Sequence, residues 1–422
     1  MKSRSDFALT ADLRSMLAAC RRLLTERGEA MGPVLAAEII GRFTKLAEPQ
    51  RTRFFDRLAS EFNPEPGAVL AAAQAYAEAR DAERLIRLTR LTEPPRQELF
   101  RRLNRAPGGT AAIVSLRHAL LDKLARHPGW RAVEADLLHL LSSWFNPGFL
   151  EMRRVDWNSP AQLLEKVIHH EAVHEIDGWD DLRRRLQPDR RCFAFFHPQL
   201  PDEPLIFVEV ALLPEMAGAI APLIDKHAAP LASEQFKVAV FYSISNCQPG
   251  LRGVSLGNFL IKRVAEQLQR ELPQLKTFCT LSPIPGLMAW LSRVQRATLP
   301  ERMARAHDEL RVACGDDYGA LTHAARLAAL SGAAHHALWR LAAHYLVQVS
   351  PLAQGDPVAR FHLDNGARLE RLNAQANLAP KALKQSAGLM VNYLYDLARI
   401  ERHHDRFVHG EVVASRAISA LL

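Results

Sequence analysis

Nowhere in these 422 residues does an apolar stretch reach the roughly 18 residues that a membrane-spanning helix needs. The first ten residues lack the apolar core of a secretory signal. Asp6 and Asp12 come early, where a mitochondrial presequence would avoid acidic residues. The end, Ser419 to Leu422, is not a peroxisomal address. Cysteine is scarce. Cys20, Cys192, Cys247, Cys279 and Cys314 are odd in number and far apart, which argues against a disulfide framework and for reduced thiols. Together these absences lead us to expect a cytoplasmic protein, of bacterial type, with no membrane partner.

What is present is ordinary globular composition, 48% hydrophobic and 24% charged, with length enough for two domains. The net charge is +8. Arginines are spread along the chain, as at Arg21-Arg22, Arg101-Arg102, Arg153-Arg154 and Arg183-Arg184-Arg185. Without a basic tail or an interleaved aromatic platform they read as solvated helix faces. Nucleic acid is therefore not an expected partner. A polyanionic small ligand fits the charge equally well.

Residues 1–144 are rich in Ala, Leu, Arg and Glu, all strong helix formers. Breaks fall at Gly32-Pro33, Pro64 to Gly67, Pro94-Pro95, Pro107 to Gly109 and Pro128-Gly129. Between them apolar residues recur at helical spacing, as in Leu116, Leu120, Leu124 and in Val133, Leu137, Leu140, Trp144. The expectation is an all-helical bundle that supplies packing and assembly surface. The texture changes near Asn146. After one more helix, over about 160–176, apolar runs of strand length appear at 191–196, 204–213, 236–245 and 277–281. Helices are expected at about 256–271 and 287–297, and again at 383–403. Residues 145–422 thus read as an α/β or α+β domain with a mixed sheet.

The segment 241–272 is the most informative. A strand leads into a loop bearing Gly250, Gly253 and Gly257, and an amphipathic helix follows. Such a turn offers backbone N–H groups and a helix N-terminus to an anion. The spacing matches neither GxxxxGK[ST] nor GxGxxG. It resembles the acyl-CoA-binding turn of the GNAT acyltransferase fold, in which the next strand splays away to leave a slot for the acyl thioester. An ordinary strand–loop–helix crossover is the plain alternative.

The loop does not stand alone. HPQLPDEPLIFVEVAL (197–212), FYSIS with QPGLRGVSLGNFLIKRV (241–264), LSPIPG (281–286), FHLDNGARLERLN (361–373) and GLMVNYLY (388–395) resemble the malonyl-CoA decarboxylase family, in the same order and at similar spacing. The likeness covers 145–400 and continues more loosely through the helical part. It implies an N-terminal helical domain (1–144) joined to a GNAT-like catalytic domain (145–422). It also implies conversion of malonyl-CoA to acetyl-CoA and CO2 without metal or organic cofactor, and a homotetramer built as a dimer of dimers. The family's catalytic serine matches Ser282, its histidine His362, and an active-site tyrosine Tyr395. Its CoA-contacting loop matches Arg252, Gly253, Val254, Ser255, Leu256, Gly257 and Asn258; Ser282 and His362 also contact substrate. Animal members carry a glutamate where this chain has Ser255, so a direct role for that glutamate does not carry over.

Loss of CO2 leaves an enolate whose oxygen must be stabilised and whose C2 must be protonated. Ser282 can hydrogen-bond the substrate. His362, with an ordinary pKa near working pH, can supply the proton. Tyr395 can orient either. Read singly, Ser282 before proline is a turn residue, His362 a half-buried strand histidine and Tyr395 a helical core residue. Elsewhere, His170-Glu171-Ala172-Val173-His174 fits the HExxH zinc pattern, but Asp177 and Asp180 stand where the extended motif needs glycine and histidine. We read it as the edge of a packed helix face. Glu209, alone among apolar neighbours, is expected to pair with an arginine or point to the sheet edge; in a CoA-dependent acyltransferase it would be the base. His335-His336 and His403-His404 read as surface. A purely structural, helical interaction protein is the third class.

Overall fold

The computed structural model describes residues 11–25, 31–256, 260–352 and 355–422. Helices α1 (Ala11–Leu24), α2 (Gly32–Lys45), α3 (Glu48–Glu61), α4 (Pro66–Glu78), α5 (Ala82–Thr92), α6 (Pro95–Asn104), α7 (Gly109–Leu121) and α8 (Arg131–Trp144) come first. Prolines open α2, α3, α4 and α6 within the first turn, where a missing N–H costs no helix hydrogen bond. The apolar stripes face inward: Leu116, Leu120, Val133, Leu137 and Leu140 are buried. Phe43, Phe54, Phe55 and Trp130 stack into one aromatic cluster with centroids 5.0 to 6.1 Å apart.

The chain divides into two compact units. The helical unit comprises the described residues of 1–151 together with two later segments, 196–205 and 248–256. These segments complete its interior. The Arg117 guanidinium donates to the Gly250 carbonyl at 2.7 Å and pairs with Glu134. His197 packs on Phe145 and bonds the Trp144 carbonyl at 3.1 Å.

The second unit is built on one sheet. Its strands are β1 (Glu151–Val155), β2 (Arg190–Phe196), β3 (Ile206–Leu213), β4 (Val238–Asn246), β5 (Thr277–Thr280), β6 (Ser282–Pro283), β7 (Arg368–Asn373) and β8 (Met390–Leu394). The order is β1-β2-β3-β4-β5-β8-β6, with β7 on β8. From β2 onward pairing is antiparallel except for β4–β5, which is parallel. The sheet is mixed, as the sequence leads one to expect. The continuous apolar runs are continuous because both faces are covered: every residue of β2, and all of β3 but Leu213, is buried. Around it stand α9 (Ala161–His170), α10 (Gly178–Arg185), α11 (Leu260–Glu271), α12 (Leu287–Leu291), α13 (Glu301–Cys314), α14 (Gly332–His344), α15 (Pro357–Asp364), α16 (Pro380–Ser386) and α17 (Ile400–Val408). α11 buries Ile261, Val264, Ala265 and Leu268.

Three expected helices are shorter than their sequences suggest. The 160–176 helix ends at His170, because the Glu171 carboxylate takes the Val173 and His174 N–H groups in a turn. The 287–297 helix ends at Leu291. The 383–403 helix is two helices with β8 between them. Ala387 (φ 51°) and Gly388 (φ 72°) stop the first in the left-handed region, and sheet pairing then overrides helix propensity.

Close approach explains one glycine. A Cβ on Gly250 would lie 2.1 Å from the Val114 carbonyl oxygen. Gly250→Ala is expected to cost about 1–3 kcal/mol of stability through overpacking, read by urea unfolding; an unchanged midpoint would show that the loop gives way freely.

Candidate active site

The site begins with the parallel pair. β4 and β5 are bonded from Val238↔Thr277 to Phe241↔Thr280. Beyond that β4 runs on to Asn246, held by β3 alone, while the other chain leaves to pair Ser282 with Val391 of β8. A cavity of about 280 Å³ opens beside the parted strands. Phe241, Ile206, Phe361, Val173 and Pro283 make its lining largely apolar; Ser243, Ser282 and His362 supply polar atoms.

Ser282 and His362 meet there from 80 residues apart. The Ser282 hydroxyl donates to Thr280 Oγ1 at 2.9 Å and lies 2.9 Å from His362 Nε2. His362 Nδ1 is 2.8 Å from the Tyr395 hydroxyl. The Tyr393 ring stacks on the imidazole, centroids 4.6 Å apart. All three residues of the expected set are thus joined in one chain of hydrogen bonds, and all are buried. Two carriers differ from expectation. His362 sits in α15, not on a strand, and Tyr395 follows β8 rather than lying in a helix.

Electrostatics fixes the direction of this chain. Burial pushes the His362 pKa down to about 3 and holds the Tyr395 phenol well above its ordinary value. At neutral pH the imidazole is neutral and the phenol protonated. Tyr395 bonds to Nδ1, and if Nδ1 carried the hydrogen, the buried phenolic hydrogen would lack that acceptor. Tyr395 therefore donates to Nδ1, Nε2–H faces Ser282, and the Ser282 hydrogen points onward to Thr280. This corrects the expectation of a histidine titrating near neutrality: burial holds His362 as neutral imidazole.

Sequence reasoning missed Thr280 and Tyr393. Both stand two residues before a site residue, and period-two alternation places such pairs on one face of a strand. It also misplaced Glu171. The helix ends at His170, so the two histidines of the HExxH pattern do not sit on successive turns. Glu171 instead accepts from the Ser243 and Ser245 hydroxyls at 2.7 and 3.0 Å. Burial lowers the His174 pKa to about 4. Among the described residues no three His, Cys, Asp or Glu side chains are grouped to hold a metal. Glu209 pairs with Arg185 at 3.0 Å, as expected of it; burial, opposed by Arg185, raises its pKa to about 7. His403 is buried in α17, against the surface reading.

Arg252 to Leu256 belong to the helical unit. Gly253 adopts φ +81°, which favours glycine, and Arg252 and Ser255 are exposed. Gly257 and Asn258 lie outside the described residues.

The helical unit and the mixed sheet with its parted parallel strands define a protein of helical and α/β parts, with a buried serine–histidine–tyrosine chain in the second. Family comparison gives the particular kind. Residues 62–145 match the malonyl-CoA decarboxylase N-terminal domain and 148–422 the malonyl-CoA decarboxylase C-terminal domain. The chain is 36% identical over 404 residues to the mitochondrial malonyl-CoA decarboxylase of Mus musculus, covering 89% of this chain and 82% of that one. It is 45% identical to the malonyl-CoA decarboxylase structure from Rhodopseudomonas palustris, with TM-score 0.87 and coverage of 97% and 99%. The structure from Agrobacterium vitis is likewise 45% identical, with TM-score 0.84 and coverage of 96% and 99%. This chain belongs to the malonyl-CoA decarboxylase family.

The tautomer is testable by nitrogen NMR of the His362 ring. It should stay neutral, with the hydrogen on Nε2, from pH 8 down to about pH 5. A transition between pH 6 and 7 would overturn the assigned direction.

Proposed function

We propose that this protein decarboxylates malonyl-CoA to acetyl-CoA and CO2, with Ser282, His362 and Tyr395 as its proton path. The observation that carries the reading is the buried Ser282–His362–Tyr395 chain opening on an apolar cavity. A carboxylate seated among Phe241, Phe361 and Ile206 loses hydration that neutral CO2 does not need, which favours its departure. The electron pair of the breaking C–C bond passes into the thioester, giving an enolate. The Ser282 hydroxyl turns from Thr280 and delivers a proton to C2, Nε2–H of His362 restores the serine, and Tyr395 protonates Nδ1 of His362. A solvent proton on the Tyr395 oxygen closes the balance, and His362 returns from the Nδ1–H to the Nε2–H tautomer before the next turnover. These steps call on side chains alone, with no acyl-serine.

In the same reading Arg252, Gly253, Val254, Ser255, Leu256, Gly257 and Asn258 contact coenzyme A, whose pyrophosphate and 3′-phosphate suit the net charge of +8. Residues 1–144 and 145–422 serve as assembly and catalytic parts, a division of role that differs from the compact units, since 196–205 and 248–256 belong with the helices. Among the described residues no helix is long and apolar enough to cross a membrane. A bacterial setting draws support from the two bacterial structures at 45% identity; a cytoplasmic one rests on the sequence expectation.

Malonyl-CoA supplied alone should yield acetyl-CoA and CO2 in equal amounts; a requirement for an amine or alcohol acceptor would favour an acyltransferase instead. Ser282→Ala and His362→Asn are each expected to lower turnover by about a hundredfold or more, with circular dichroism unchanged. Near-normal turnover in both would remove the pair from the mechanism.

We also propose a homotetramer, a dimer of dimers held partly by the helical part. α5 has no buried residue, and its Leu85 and Ile86 are 44% and 51% exposed; Leu70 on α4 is exposed as well. Surplus apolar helix surface of this kind marks an interface. Light scattering at micromolar concentration should report a tetramer, and Leu85→Glu with Ile86→Lys a smaller species; a monomeric wild type would end the idea.

A further inference from the structure

α15 carries His362 in its last turn, and the turn after Ser282 runs to Gly286 at the start of α12. One carboxylate ties these two segments together. Asp356 is fully buried. Its Oδ1 accepts from the Val358 and Ala359 N–H groups, both at 3.0 Å, and so caps the first turn of α15. Its Oδ2 accepts from Gly286 N–H at 2.8 Å. All three donors are backbone groups. The carboxylate is therefore a fixed joint between the serine turn and the histidine helix.

The surroundings leave this joint little play. A Cβ on Gly286 would lie 2.1 Å from the Tyr345 hydroxyl and 3.2 Å from Asp356 Oδ2, so only glycine lets the turn approach so closely. Tyr345 in turn stacks on Trp290 of α12, centroids 5.2 Å apart. Pro357, Val358 and Phe361, on the same helix, line the cavity beside His362. A hydrogen bond of 2.9 Å between residues 80 apart in sequence needs its two carriers registered to a few tenths of an ångström. The Asp356 carboxylate runs directly from one carrier to the other.

We infer that Asp356 is a positioning residue that sets the Ser282–His362 distance by bridging Gly286 N–H to the N-terminus of the histidine helix. The inference rests on the proton path proposed above. It separates two duties of one side chain, capping and bridging, which different substitutions divide. Asp356→Ser keeps a hydroxyl that caps α15 but is too short to reach Gly286. Asp356→Asn keeps one capping oxygen and turns an N–H2 towards the Gly286 N–H, so that donor faces donor.

Both variants are made in the full chain and in the Ser282→Ala background, and folding is followed by circular dichroism. In the wild-type background kcat should fall about thirtyfold or more while KM for malonyl-CoA stays within about threefold. In the Ser282→Ala background the same change should cost less than about twofold, because the alignment it serves is already gone. Asp356→Ser should still unfold cooperatively, with its midpoint lowered by the cost of one unmet N–H; should Asp356→Asn not fold, the serine variant alone decides. An unchanged kcat, a matching rise in KM, or a full multiplicative loss on top of Ser282→Ala would overturn the inference. If Ser282→Ala alone retains normal turnover, it is the proton path that fails, and the two failures are thereby told apart.

Discussion

The site depends on a constraint of the backbone: β4 and β5 share only four residue pairs before they part. Were the parallel pairing to continue, Tyr242 to Asn246 would be bonded on both sides and no cavity would form beside them. The departing chain is not left loose. Ser282 and Pro283 pair with β8, and β8 also brings Tyr393 and the turn to Tyr395. One change of partner therefore opens the space and places three of the groups around it.

Much of this was legible from residues alone. Proline positions marked the helix starts, and the unbroken apolar runs marked β2, β3 and β4. The failures have a common cause. β6, β7 and β8 are short or carry polar residues such as Arg368, Arg371 and Asn392, and they exist because of partners far away in sequence. Leu389 to Tyr395 looks helical because its residues tolerate a helix; what decides against it is pairing with β7, which no local window contains. The same holds for the site. Ser282, His362 and Tyr395 came from resemblance, not spacing. Nothing in the sequence reveals that His362 is sealed from water, which is what removes its charge.

Buried carboxylates recur in the second unit, and three of them are met differently. Glu209 takes a buried arginine. Glu171 takes two hydroxyls and two backbone N–H groups and so needs no cation. Asp356 takes backbone N–H groups only. Each arrangement locks segments that the chain itself does not connect, because an unmet buried polar group is expensive. The rigidity suits an active site whose hydrogen bonds span 80 residues.

The helical unit is discontinuous: residues 196–205 and 248–256 belong to it. On a ribosome the first 144 residues emerge long before those segments, at a pace of about 5–20 residues per second. For that interval Arg117 lacks the Gly250 carbonyl, and Phe145 lacks His197. The nascent bundle thus has an unfinished seam for about five to twenty seconds. It cannot close until all of the large sheet's first four strands have been made. Biosynthesis thereby couples completion of the first half to the arrival of the second, so the two halves mature together although the sequence reads them one after the other.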